Sequence, residues 1–85
     1  MGVNQKYFRE LIDQTLKIKD EKELKDFLEG ILTPKELEEI PNRLQIVKLL
    51  KKGITHQDIA KKLGVGVGTV TRGSKEIIRG KFNTV

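Results

Sequence analysis

The residues whose types and spacing can do chemistry are Gly68, Thr69, Thr71, Arg72 and Lys75, which are small, hydroxylic or basic and fall within about two turns of a helical pattern. Small side chains let another backbone come near, hydroxyls and ammonium groups meet phosphate oxygens, and a guanidinium adds planar recognition. That chemistry is binding, not bond-breaking. Glu38 and Glu39 are adjacent in an acidic stretch and the lone His56 sits beside Gln57, so neither forms a nucleophile–base pair. The glycines at 64, 66 and 68 lack the preceding strand and the Lys-Ser/Thr ending of a phosphate loop. With no cysteine and one histidine there is no thiolate site and no metal-ligand set.

The elements that position these residues are read from periodicity. Ile59, Leu63, Val67 and Val70 recur at helical spacing on both sides of Gly64, which predicts two short amphipathic helices joined by a tight turn, a helix-turn-helix. Thr55 is the expected N-cap of the first helix, with Asp58 as its capping-box partner. Ala60 is small where the helices cross, Gly64 admits a left-handed backbone, and Val65 and Val70 fill the angle between them. The second helix, about Val67 to Ile78, then has the dimensions to enter the major groove of DNA. The plain alternative is a helical hairpin that packs and binds nothing; the exposed residues named above favour DNA.

Charge supports the same partner. Residues 1 to 40 carry seven Lys/Arg against ten Asp/Glu, a net −3, whereas residues 41 to 85 carry ten against two, a net +8. The basic half holds the predicted helix-turn-helix, so a polyanion is its natural partner and affinity should fall steeply with salt. No stretch approaches the roughly 20 apolar residues of a membrane span and no apolar signal region opens the chain, so a cytoplasmic location and no membrane partner are expected.

Eighty-five residues allow a single domain, but one with a marginal core unless a second chain adds to it. From Asn4 to about Lys17, Tyr7, Phe8, Leu11, Ile12, Leu16 and Ile18 cover more than one helix face, which points to packing against a second copy. Asp20 caps a second helix with the stripe Leu24, Phe27, Leu28 and Ile31; Thr33-Pro34 starts a third that runs towards Gly53. Pro41 is expected to kink or break that third helix, and Arg43 reads by periodicity as a surface arginine. The organisation is therefore all-α: residues 1–53 as dimerisation helices, 54–78 as the helix-turn-helix, and 79–85 as a frayed basic tail.

With Leu32-Thr33-Pro34, Arg43, and the run from Leu63-Gly64-Val65-Gly66 to Thr69-Val70-Thr71-Arg72-Gly73-Ser74 in view, the chain resembles the tryptophan-operon repressor family over about residues 5 to 78. The Thr-x-Thr-Arg-Gly-Ser ending is far more specific than a generic helix-turn-helix. The resemblance implies an all-helical homodimer with interlocked N-terminal helices, operator DNA as partner and L-tryptophan as corepressor. Carried over residue by residue, Arg43 and Arg72 would sandwich the indole, Thr33 and Arg72 would meet the carboxylate, Leu32 would offer a carbonyl to the amine, and Ile46 and Gly73 would line the cavity. Glu76 stands where the family has a serine that contacts the amine, so it either pairs with the ammonium or points to solvent. The DNA face would comprise His56, Gln57, Val67, Gly68, Thr69 and Thr71, with Lys61, Lys62 and Lys75 as phosphate partners. Gly30 replaces a family leucine, and Gln57 and Ala60 replace basic residues. Two further readings stay open: a ligand-independent DNA-binding module whose pocket is altered, and an adaptor that uses its apolar N-terminal helix.

Overall fold

The computed structural model describes residues 2–85, and among them every regular element is an α-helix: α1 (Gln5–Lys17), α2 (Glu21–Ile31), α3 (Pro34–Lys51), α4 (His56–Leu63) and α5 (Val67–Ile78). The chain divides into two compact units, one ending at Leu37 and the other Glu38–Val85.

In the first unit the helix starts follow local chemistry. Asn4 Oδ1 accepts the N–H of Tyr7 at the head of α1, and Asp20 Oδ1 accepts the N–H of Glu23 at the head of α2. Each satisfies an amide that the helix leaves unpaired. Thr33 and Glu36 form a complete capping box for α3: Glu36 N–H donates to Thr33 Oγ1 (3.2 Å) and Thr33 N–H donates to Glu36 Oε1 (2.9 Å). Neither α1 nor α2 contains a buried residue, and Leu16 keeps 76 % of its surface exposed.

In the second unit the core is Ile46, Ile59, Ala60 and Val70, with Leu49, Leu50, Leu63 and Val65 packed around it. One face of α3 and the inner faces of α4 and α5 meet there. Val70 fills the angle between α4 and α5 with Val65 against it, as the spacing predicts, but Val67 remains substantially exposed and belongs to the surface. The turn between α4 and α5 depends on Gly64, whose φ of +67° lies in the left-handed region. At the head of α4 the bond formed is the forward one, Asp58 N–H donating to Thr55 Oγ1 (3.2 Å).

Two expectations are corrected. The helix does not break before Pro41: α3 is one element by its backbone from Pro34 to Lys51. A helical proline costs about 3 kcal/mol, but here its two flanks are independently held, the first by the Thr33–Glu36 box and the second by burial of Ile46 and Val47. Nor is the segment after Ile78 a frayed tail. Gly80, at φ +83°, reverses the chain in a paired cap, with Gly80 N–H donating to Ile77 O (2.9 Å) and Lys81 N–H to Glu76 O (3.1 Å). Lys51 Nζ at the end of α3 then donates to the carbonyls of Phe82 and Val85. The returning segment is thereby tied to a residue 31 positions earlier.

Candidate ligand cleft and nucleic-acid interface

Residues 43, 46, 47 and 50 lie three and four apart and share one face of α3; residues 69, 72, 73 and 76 do the same on α5. The helices approach closely where Gly73 faces α3: a Cβ built there would stand 3.1 Å from Ile46 Cγ2 and 3.7 Å from Leu50 Cδ1. Beside that contact is a cavity of ≈ 50 Å³ lined by Arg43, Ile46, Val47, Thr69, Arg72, Gly73, Glu76 and Phe82. It is flanked by a more open groove of ≈ 650 Å³, walled by Ile40, Arg43, Leu44, Arg72, Glu76, Arg79, Lys81 and Phe82. On the other side a cleft of ≈ 230 Å³ reaches Glu39, Asn42, Val65, Gly66 and Thr69.

Five of the seven candidate ligand residues, Arg43, Ile46, Arg72, Gly73 and Glu76, therefore line one cavity although 33 positions of sequence separate the first from the last. The other two lie in the first unit: Leu32 is the C-cap of α2, its N–H donating to Leu28 O, and Thr33 caps α3. Accepting the Glu36 amide leaves the Thr33 hydroxyl proton available to a ligand. Arg43 is exposed, as its periodicity predicts, and it also lines all three clefts. It stands 3.9 Å from Glu39 Oε2, but the pair is half exposed and thus a weak tether. Arg72 makes no ion pair among the described residues, which leaves a planar cation at the cavity wall open to an anion or an aromatic face. Glu76 is half-buried and accepts from Arg79 Nη1 at 2.9 Å, so it already has a cationic partner.

Val47, Thr69 and Phe82 are cavity residues that sequence reasoning did not place there; Val47 was read only as part of the apolar pattern of α3. Thr69 had a signal, since it shares the 69, 72, 73, 76 register of α5. Phe82 had none: it is a single aromatic in a segment without periodicity, and what holds it is a long-range bond from Lys51.

The candidate DNA-facing residues lie on α4 and α5. Gln57, Lys61, Val67, Gly68, Thr69 and Lys75 are exposed, while His56 and Thr71 are half-buried against each other, with His56 Nδ1 3.4 Å from Thr71 Oγ1. That contact sets the first turn of α4 beside the middle of α5. Gly68 is informative because nothing lies within 4 Å of the Cβ it lacks and its backbone is ordinary helix. The fold does not require a glycine there. By contrast, Gly73 is fixed by Ile46.

Among the described residues no group of His, Cys, Asp and Glu is placed to hold a metal ion, and no helix is long and apolar enough to cross a membrane.

Comparison with known proteins places the sequence in a family. A Trp operon repressor homolog of Vibrio vulnificus is 34 % identical over 71 residues, covering 82 % of this chain and 70 % of the relative. Homologs of the same name from Vibrio campbellii and Vibrio cholerae are 42 % identical over 48 residues, covering 55 % of this chain and 48 % and 47 % of theirs. No solved structure matches the chain significantly. The profile of the family described as Trp repressor protein matches residues 6–83, nearly the whole length and all the residues of the cavity and of α4 and α5. The chain belongs to the Trp repressor protein family.

Proposed function

We propose that the chain is a sequence-specific DNA-binding repressor whose affinity for its operator is set by an amino-acid corepressor, L-tryptophan. The observation that carries this reading is that Arg43 of α3 and Arg72 of α5 line the same cavity, while the exposed side of α5 presents Gly68 and Lys75. An indole between two guanidinium planes gains cation–π contact on both faces, and its carboxylate gains a charge-assisted bond from Arg72. Occupying the cavity then fixes how α5 sits on α3, and so how α5 is presented to DNA.

In this reading α4 and α5 form a helix-turn-helix, with α5 in the major groove and Lys61, Lys62 and Lys75 near phosphates. The protein acts as a homodimer. Helices α1 and α2 contain no fully buried residue in the single chain, and Tyr7, Phe8, Leu16 and Ile31 are each about half exposed or more, which is a face suited to a second copy. Two-fold symmetry places the two α5 helices about 34 Å apart, one DNA turn, on a pseudo-palindromic site. Ligand and operator must strengthen each other by one common factor.

The test is selection of binding sites from a random duplex library with and without L-tryptophan. The reading expects a pseudo-palindromic motif with half-sites about one helical turn apart, enriched with tryptophan present. Equal enrichment in its absence would leave a ligand-independent regulator, and no motif at moderate salt would remove sequence-specific binding.

A further inference from the structure

The cavity beside Arg43 and Arg72 is too small for the ligand that its walls suit. Pockets that enclose small molecules run to about 300–1,000 Å³, whereas this one measures ≈ 50 Å³. The groove next to it is ≈ 650 Å³ and shares four walls with it: Arg43, Arg72, Glu76 and Phe82. Three of these belong to α3 and α5. The fourth comes from the returning segment after α5.

Phe82 is the half-buried member of an otherwise exposed run from Gly80 to Val85. Its position is specified at both ends. Gly80 turns the chain through the paired cap on Ile77 and Glu76, and Lys51 draws the Phe82 carbonyl towards the end of α3. A benzyl ring is thus held against the two guanidinium-bearing helices, where an aromatic ligand would have to sit. Little apolar surface fixes this segment, and few of its residues are buried, so it opens more readily than α3 or α5.

We infer that Phe82 is an intramolecular gate: its ring occupies part of the aromatic ligand's place in the free protein and must leave for the cavity and groove to join. This rests on the corepressor reading of the same site. Gate and ligand compete, so apparent affinity falls by the fraction of molecules in which the gate is open; a ring docked about 90 % of the time weakens binding about tenfold.

The experiment labels the three phenylalanines, Phe8, Phe27 and Phe82, with 4-fluorophenylalanine and assigns the Phe82 fluorine signal by its loss in Phe82→Leu. In the free full-length chain the Phe82 signal should show a partial H₂O/D₂O solvent shift, and on saturation with L-tryptophan the full shift of an exposed ring. Isothermal titration is run in parallel on the parent chain, Phe82→Ala and Lys51→Met. The second variant removes the tether at an exposed position, so it tests the gate without touching the cavity. Both variants should bind L-tryptophan more tightly, Phe82→Ala about tenfold and Lys51→Met by less. A fully exposed Phe82 signal in the free chain overturns the gate whatever the ligand. Equal affinity in all three proteins overturns the gate and leaves the corepressor reading standing, and weaker binding by Phe82→Ala makes Phe82 a ligand wall instead. No binding by any of the three, with Phe82 docked, overturns the corepressor reading and with it the competition.

Discussion

Gly68→Ala separates the demands of the fold from those of the partner. A glycine in a helix is less favourable than alanine by about 0.5–1 kcal/mol, and Gly68 lies in the first turn of α5 with open space around its missing Cβ and no left-handed backbone to preserve. The substitution should therefore stabilise the protein by about 0.5 kcal/mol, which for a domain of this size raises the Tm by roughly 2–4 °C. If α5 lies in the major groove, the same methyl stands between the helix and DNA and removes at least one close contact. That costs about 1–3 kcal/mol, or roughly five- to 150-fold in affinity. The two effects have opposite signs. Thermal melts at fixed protein concentration and fluorescence anisotropy with the selected duplex at one salt concentration read them separately. A stabilised Gly68→Ala with undiminished DNA affinity would refute the assignment of this face of α5 to DNA, and a destabilised one would refute the reading that the fold leaves the position free.

Gly73→Ala should do the reverse to stability: its Cβ would stand 3.1 Å from Ile46 Cγ2, and Ile46 is itself packed in the core with Ile59, Ala60 and Val70, so moving it aside should cost about 1–3 kcal/mol, outweigh the helix gain and lower the Tm; a raised Tm would mean that Ile46 gives way into the neighbouring cavity. Arg72→Lys keeps the charge but loses the planar face and the fork of donors, so L-tryptophan affinity measured by calorimetry should fall about tenfold or more; an unchanged affinity would mean that Arg72 acts as a point charge alone. Leu16→Lys should weaken the dimer at least about 100-fold, since symmetry counts each lost leucine burial of about 1.5–3 kcal/mol twice; sedimentation equilibrium checks this, and a parent chain that is already monomeric would refute the dimer.

What was legible in the sequence is what local chemistry writes. Asp20, Thr33 and Thr55 each cap the helix that follows because a side-chain oxygen three residues from an unpaired amide is a local geometry. The register 69, 72, 73, 76 and its counterpart on α3 follow from helix pitch, but periodicity reads Arg43 only as a surface arginine; its pairing with Arg72 came from the family resemblance, and the close approach at Gly73 that brings the two helices together leaves no period in the sequence. Pro41 does not break α3 because a propensity acts on one turn, whereas the capping box before it and the buried Ile46 and Val47 after it act on both flanks. Val67 fits the apolar period, but it sits where α5 begins, outside the angle that Val70 fills, and is exposed as its place among the DNA-facing candidates requires. Phe82 was hidden because its position depends on a lysine in another helix and on a left-handed turn at Gly80, neither of which leaves a period in the sequence. The identity of the ligand is of the same kind: in the proposed reading two arginines suit a planar, anionic guest, and the choice of tryptophan rests on the family resemblance alone.

The central claim is that Arg43 and Arg72 hold an amino acid whose occupancy controls the DNA-facing helix, and isothermal titration of the free protein with L-tryptophan beside a panel of other amino acids tests it most directly. The account predicts saturable binding of tryptophan at one site per chain, lost in Arg72→Ala and tightened by operator DNA. Protein shown to be folded that takes up no amino acid would contradict it and leave a repressor that acts without a ligand.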